Sequence, residues 1–248
     1  MRKEVLKEPT FEKEIAVMIR VSKSMDEMRQ QLRAYHDNDI AQSLKYLNRA
    51  ERNLLYSGLD AKWLAEIMSY VDDPAPYIEE IGIDKLAEII NEMEADDAVD
   101  LWEDIDESVK VKLRPMLDDE KTMDILLINS YDEDEIGSLI TTNYIRIKQN
   151  LSIRQAMHEL VQQAGENDNI TTLYVVDDRG RFCGAIDLKD LIVARENVAL
   201  DSLISYAYPY LLDHEKISDS IEKIKDYAED SLPVLNKDKK IIGIITAQ

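Results

Sequence analysis

The chain has 248 residues, 45% of them hydrophobic, which fills one large core or two ordinary ones and sets intrinsic disorder aside. Against 30 Lys and Arg stand 51 Asp and Glu, and a formal charge of −21 repels phosphate backbones and anionic lipid headgroups, excluding nucleic acid as a partner. The single cysteine, Cys183, excludes an internal disulfide, and His36, His158 and His214 lie too far apart in sequence for a zinc motif. The N-terminal MRKEVLKEPTFEKE has no signal-peptide core, and no apolar run approaches the roughly 18 residues of a spanning helix. A cytoplasmic, soluble chain is expected.

Residues 1–34 read as a helical extension. From about Thr10 to Asn129 the only glycines are Gly58 and Gly82, and apolar residues recur at three and four, which predicts helix throughout. A phrase repeats inside this half: DIAQSLKYL (39–47), WLAEIMSYV (63–71), KLAEIINEM (85–93) and DAVDLWEDI (97–105). Asp60, Asp72 or Asp73, Asp84, Asp106 and Asp118 punctuate the phrases as expected N-caps. Short helices repeated with polar joints pack as a superhelix. Trp63 and Trp102 fall in the repeated phrases and are expected in the core.

Within this half, MEADDAVDLWEDIDE (93–107) has eight acidic residues and no basic one. On one continuous helix, Asp96, Asp100, Glu103 or Asp104, and Glu107 form an acidic stripe, opposite an apolar one of Val99, Trp102, Ile105 and Val109. Such a stripe is either a solvated face or a loose carboxylate surface of the kind that holds Mg²⁺, a hard cation that keeps much of its water.

After the acidic joint YDEDEIGS (131–138) the pattern changes. The β-branched runs TTLYVVDD, RFCGAID, SLPVLNK and KIIGIIT alternate with helical ones, and Leu173, Val175, Gly184 and Ile186 recur as Leu232, Val234, Gly243 and Ile245 at a constant offset of 59. Each strand–turn–strand unit is preceded by an amphipathic helix, SIRQAMHELVQQA with Ser152 and Gln155 in capping-box spacing, and SDSIEKIKDYA. Two such units are expected to bury their sheets against each other.

The tandem YVVDDRGRFCGAIDLKDL and LPVLNKDKKIIGIIT resembles a pair of cystathionine-β-synthase (CBS) motifs. With SYDEDEIGSLITTNYIRIKQNLSIRQAM and the EADDAVDLWEDI helix, the chain from about residue 35 to 248 resembles the cytosolic portion of the MgtE magnesium transporter family. The resemblance implies α plus α/β architecture: an N-terminal all-α superhelix over 35–130, a first CBS domain over 131–200, and a second over 201–248. The second ends one residue before position 249, the counterpart of Asp190, so the chain reads as a fragment whose transmembrane domain is absent.

The same resemblance implies a location on the cytoplasmic face of the cell membrane, a homodimer formed through the CBS pair, and the chain's own transmembrane domain and Mg²⁺ as partners. It implies no enzyme, and no nucleophile elbow or phosphate-cradling loop is present. Mg²⁺ ligands carried over by position are Asp96, Asp97 and Asp100, with Gly137, and Ser138 beside it, through backbone carbonyls. Adenosine nucleotides such as ATP would meet Tyr174, Lys189 and Asp190, but GAIDLKD has Asp187 where the family signature has Ser or Thr, and a carboxylate there repels phosphate. In the second repeat Ala228 and Glu229 stand where the family has an aspartate and an aromatic residue. Two other readings are an adenine-nucleotide-sensing CBS regulator of another protein and a helical-repeat scaffold whose acidity only solubilises it.

Overall fold

A computed structural model of the chain describes residues 11–165, 167–227 and 229–246. The chain separates into two compact units, Met1–Met93 with Asp100–Thr122, and Glu94–Val99 with Met123–Gln248.

The first unit is helical. Helices α1 (Glu12–Val21), α2 (Met25–Leu32), α3 (Asp37–Ser43), α4 (Arg49–Gly58), α5 (Ala61–Ser69), α6 (Ala75–Ile78) and α7 (Ile83–Glu92) are followed by α8 (Ala95–Glu103), α9 (Glu107–Leu113) and α10 (Asp119–Ile128). The boundary between the units passes through α8 and α10. Several of these helices start where a side chain satisfies the first free N–H groups. Ser24 accepts from the Glu27 amide, Asp60 from that of Trp63, and Asn48 and Glu51 form a reciprocal capping box.

Other expected caps differ. The N-cap of α7 is Gly82, which leaves Asp84 in the first turn, and α6 follows Pro74 rather than Asp72 or Asp73. Asp106 precedes α9 without a side-chain cap bond. The stretch 93–107 is not one helix either: α8 ends at Glu103 and α9 begins at Glu107, so Glu107 leaves the stripe drawn for a continuous helix. The apolar side holds, with Val99, Trp102 and Ile105 buried. Trp63 is only half-buried and donates its indole N–H to Asp37 at 2.7 Å.

The extension is part of the helical core. Ile15, Ile19, Met28 and Leu32 are fully buried, and α1 and α2 both pack against α4. Each such side chain contributes about 1.5–3 kcal/mol by leaving water. One half-buried ion pair braces the repeat: Arg52 meets both oxygens of Glu80, at 2.6 and 2.7 Å, and also donates to the carbonyls of Leu44 and Leu47.

The second unit contains two three-stranded sheets. Strands β1 (Ile145–Lys148), β2 (Thr172–Val176) and β3 (Phe182–Asp187) form the first, and β4 (Leu211–Leu212), β5 (Ser231–Leu235) and β6 (Ile241–Thr246) the second. In each, a parallel pair joined through a helix is followed by an antiparallel hairpin. The crossover helices are α11 (Ile153–Gln163), opened by the Ser152–Gln155 capping box, and α13 (Ile217–Tyr227); α12 (Leu188–Val193) follows β3.

The offset of 59 is a register. Leu173 pairs with Ile186 and Val175 with Gly184 in one hairpin; Leu232 pairs with Ile245 and Val234 with Gly243 in the other. Both hairpins shift register at the same place, Val175/Val176 and Val234/Leu235. Their turns match as well: Asp177 and Asn236 each accept two backbone N–H bonds, while Gly180 and Lys239 take the positive φ, at 75° and 60°.

Beyond each hairpin another segment bridges the third strand, Ser205 to Ala185 and Thr141 to Ile244. The neighbouring Gly184 and Gly243 admit that approach, because a Cβ would strike the Ser205 carbonyl in one case and Ile140 in the other. Tyr174, Val176 and Ala185 of one sheet close against Leu235, Ile241 and Ile244 of the other, with Tyr144, Phe182 and Tyr208 around them.

Candidate functional site

The acidic stretch begins at Glu94, just before α8. Its carboxylate accepts from Thr141 Oγ1 at 3.1 Å and Asn143 Nδ2 at 2.8 Å, and Asn143 in turn accepts from the Asp168 amide at 2.7 Å. Nearby, Thr142 donates to Asp124 at 2.9 Å. Neutral donors therefore hold the entry of α8 to the segment that leads into β1.

Asp96 and Asp97 follow in the first turn, half-buried, where the helix dipole favours negative charge. Asp100 lies one turn further on and loses that help. Its pKa is raised by desolvation from the surrounding protein and by the Asp104 charge, although its side chain still reaches solvent. Spacing of four puts Asp96 and Asp100 on one face of the helix.

The joint 131–138 is built differently. The Ile136 amide donates to the Glu215 carbonyl at 2.9 Å and the Gly137 amide to that of Asp213 at 2.8 Å. Asp134 meets Lys216 at 2.7 Å, and Glu135 meets His214 Nδ1 at 3.1 Å while accepting the Asp132 amide at 3.1 Å. These bonds, led by the Asp132 amide, hold Glu135 below the usual carboxylate range. Gly137 is buried under the Tyr131 ring, which a Cβ would approach to 2.5 Å. Tyr131 donates to Asp213 at 3.3 Å, and burial together with that carboxylate pushes its phenol up to about 12. Ser138 donates to the Glu135 carbonyl at 2.8 Å.

Asp96, Asp97 and Asp100 thus share a helix, and Gly137 sits in the joint. Among the described residues, no three His, Cys, Asp or Glu side chains converge as a ready-made metal cage. The sequence reading missed Thr141, Asn143, His214 and Lys216 as partners of the acids, because those pairings span 47 to 82 residues and leave no local pattern.

The residues suggested for a nucleotide separate too. A cleft of about 510 Å³ is lined by Thr171, Thr172, Asp187, Lys189, Glu229 and Asp230, with apolar walls from α12. Lys189 lines it, whereas Asp190 is an exposed residue of the first turn of α12 that is not among its lining groups. Tyr174 is fully buried between the sheets, its hydroxyl 2.6 Å from Ser231 Oγ and its phenol pKa raised by burial. Asp187 caps α12, accepting the Lys189 amide at 2.7 Å.

A helical domain followed by paired strand–turn–strand modules in matching register defines a protein of the class that joins a helical domain to a CBS pair. Residues 35–134 match the MgtE intracellular N domain, and residues 136–197 and 201–248 match the CBS domain. The chain belongs to the MgtE family and corresponds to its cytosolic portion; the family is one of transporters, not of enzymes.

The magnesium transporter MgtE of Enterococcus faecalis is 28% identical over 242 residues, 95% of this chain and 53% of that protein. MgtE of Thermus thermophilus is 24% identical over 224 residues, 88% and 50% respectively. The chain spans about half the length of the curated relatives it matches. Among solved structures, the soluble part of a magnesium transporter aligns with TM-score 0.88 and 28% identity, covering 96% of this chain and 95% of that one. The cytosolic domain of the Mg²⁺ channel MgtE in complex with ATP aligns with TM-score 0.84 and 24% identity, covering 93% and 96%. No helix among the described residues is long and apolar enough to cross a membrane.

Proposed function

We propose that this chain is the Mg²⁺-sensing regulatory region of a magnesium transporter, working at the cytoplasmic face of the membrane beside its own transmembrane domain and as a homodimer through the CBS pair. Domain limits of 35–130, 131–200 and 201–248, with 1–34 as a helical extension, belong to this reading. Asp96, Asp97 and Asp100 are the sensing carboxylates, with Gly137 offering a backbone oxygen. Without Mg²⁺, acidic surfaces of the helical domain and the CBS pair repel; with Mg²⁺ they are bridged and the pore closes.

The observation that carries this reading is that Asp96, Asp97 and Asp100 share one short helix, with Asp100 further disfavoured as a charge by desolvation and by Asp104. A cation relieves that cost. A loose set of carboxylates suits Mg²⁺, which usually keeps several waters and takes one or two carboxylates. A switch requires the compact state to bind Mg²⁺ more tightly than the open one, and several weak sites together supply the few kcal/mol needed.

The relative that holds ATP raises the same ligand for this chain, and the residues here do not fit it. Tyr174 is sealed in the core and Asp187 faces the cleft with a negative charge, so no step of this reading runs through a nucleotide.

Mg²⁺ titrated against Na⁺ at matched ionic strength tests the reading, since Na⁺ controls for screening. Mg²⁺ alone is expected to protect residues 130–138 from protease and to raise the melting temperature with concentration. Replacing Asp96, Asp97 and Asp100 together by Asn should make the metal-free form less protease-sensitive and blunt the Mg²⁺ response. A triple variant matching the parent in both respects refutes the assignment and favours a scaffold with a solvated acidic face.

A further inference from the structure

We infer that Asp187 makes the CBS cleft selective against phosphorylated ligands, so that this chain has lost nucleoside-polyphosphate binding while keeping the fold around the site. The cleft of about 510 Å³ has room for a small ligand, and Leu188, Ile192 and Val193 give it an apolar wall. Its charge has the wrong sign for phosphate: three carboxylates, Asp187, Glu229 and Asp230, stand against the single ammonium of Lys189.

The position of Asp187 matters more than the count. Its Oδ1 already accepts the Lys189 amide at 2.7 Å, so a donor that an incoming oxyanion would use at the start of α12 is taken by the protein's own anion. With only six residues, α12 adds little dipole of its own to offset that charge. The aromatic ring on β2 gives no compensation, because Tyr174 is fully buried, packs edge-on against Tyr144 and Tyr208, and bonds to Ser231. Thr171 and Thr172 remain as neutral cleft groups, and they discriminate little between charged and uncharged ligands. The discrimination is therefore electrostatic and acts on the ligand's phosphates rather than on its base or sugar.

Serine and asparagine both cap helices about as well as aspartate, so Asp187→Ser and Asp187→Asn each remove the charge and keep the start of α12. Equilibrium dialysis of the whole chain with ATP and with adenosine, in EDTA, separates charge from shape. The parent is expected to show no saturation by ATP up to about 1 mM, and Asp187→Ser and Asp187→Asn to gain about tenfold, which is 1.4 kcal/mol. Adenosine retention should be the same in all three proteins. Saturable ATP binding by the parent overturns the inference. So does an unchanged ATP affinity in both variants, or an equal gain for adenosine, which would make the effect one of space.

Discussion

Residues 93–107 and residues 131–138 are both crowded with carboxylates, yet Asp100 in the first is pushed above the ordinary carboxylate range and Glu135 in the second is held below it. Counting charges does not distinguish them. What differs is the supply of donors: Lys216, His214 and backbone amides reach the joint, while desolvation and Asp104 dominate at Asp100.

The largest effect that would break this contrast comes from packing. Gly137→Ala places a methyl against the Tyr131 ring and should lower stability by about 1–3 kcal/mol, read by chemical denaturation. If stability is unchanged, the joint is not held as tightly as its hydrogen bonds indicate. Next comes Lys216→Glu, which replaces an attraction for Asp134 by repulsion. Cleavage within 131–138 should quicken, and high salt should shrink the difference, as expected for an exposed pair.

The smallest effect, and the sharpest, is in pH dependence measured without metal. A raised carboxyl pKa means that the contribution of Asp100 is fully present below the unfolded value and is lost as pH rises through the folded one. Glu135 has the opposite sign: its contribution is present above the unfolded value and is lost as pH falls through the folded one. Asp100→Asn should therefore flatten the loss of stability toward neutral pH and add about 0.2–0.5 kcal/mol there, the size of one like-charge pair on a helix. Glu135→Gln should flatten the loss on the acid side. Equal pH slopes in the two variants would erase the distinction between the stretches.

Much of the fold was legible because it repeats. The offset of 59 carried over directly, since a hairpin with fixed turn length places equivalent residues in equivalent register. Ser152 with Gln155, and Asp60, were readable caps because capping is local. The break at 104–106 was not readable, because Asp104 and Asp106 are compatible with either a helix interior or a joint. The buried place of Tyr174 and the pairing of His214 and Lys216 with the joint depend on the two halves of the second unit folding onto each other, and no window of sequence holds that information.

Ile15, Ile19, Met28 and Leu32, all fully buried, lie ahead of residue 35, where the match to the family's N domain begins. The limit of a family description and the limit of a foldable piece are then different things. An expression clone started at residue 35 would strip from α3 and α4 the helices that pack against them and uncover apolar surface, inviting aggregation in a protein whose strong negative charge otherwise favours solubility.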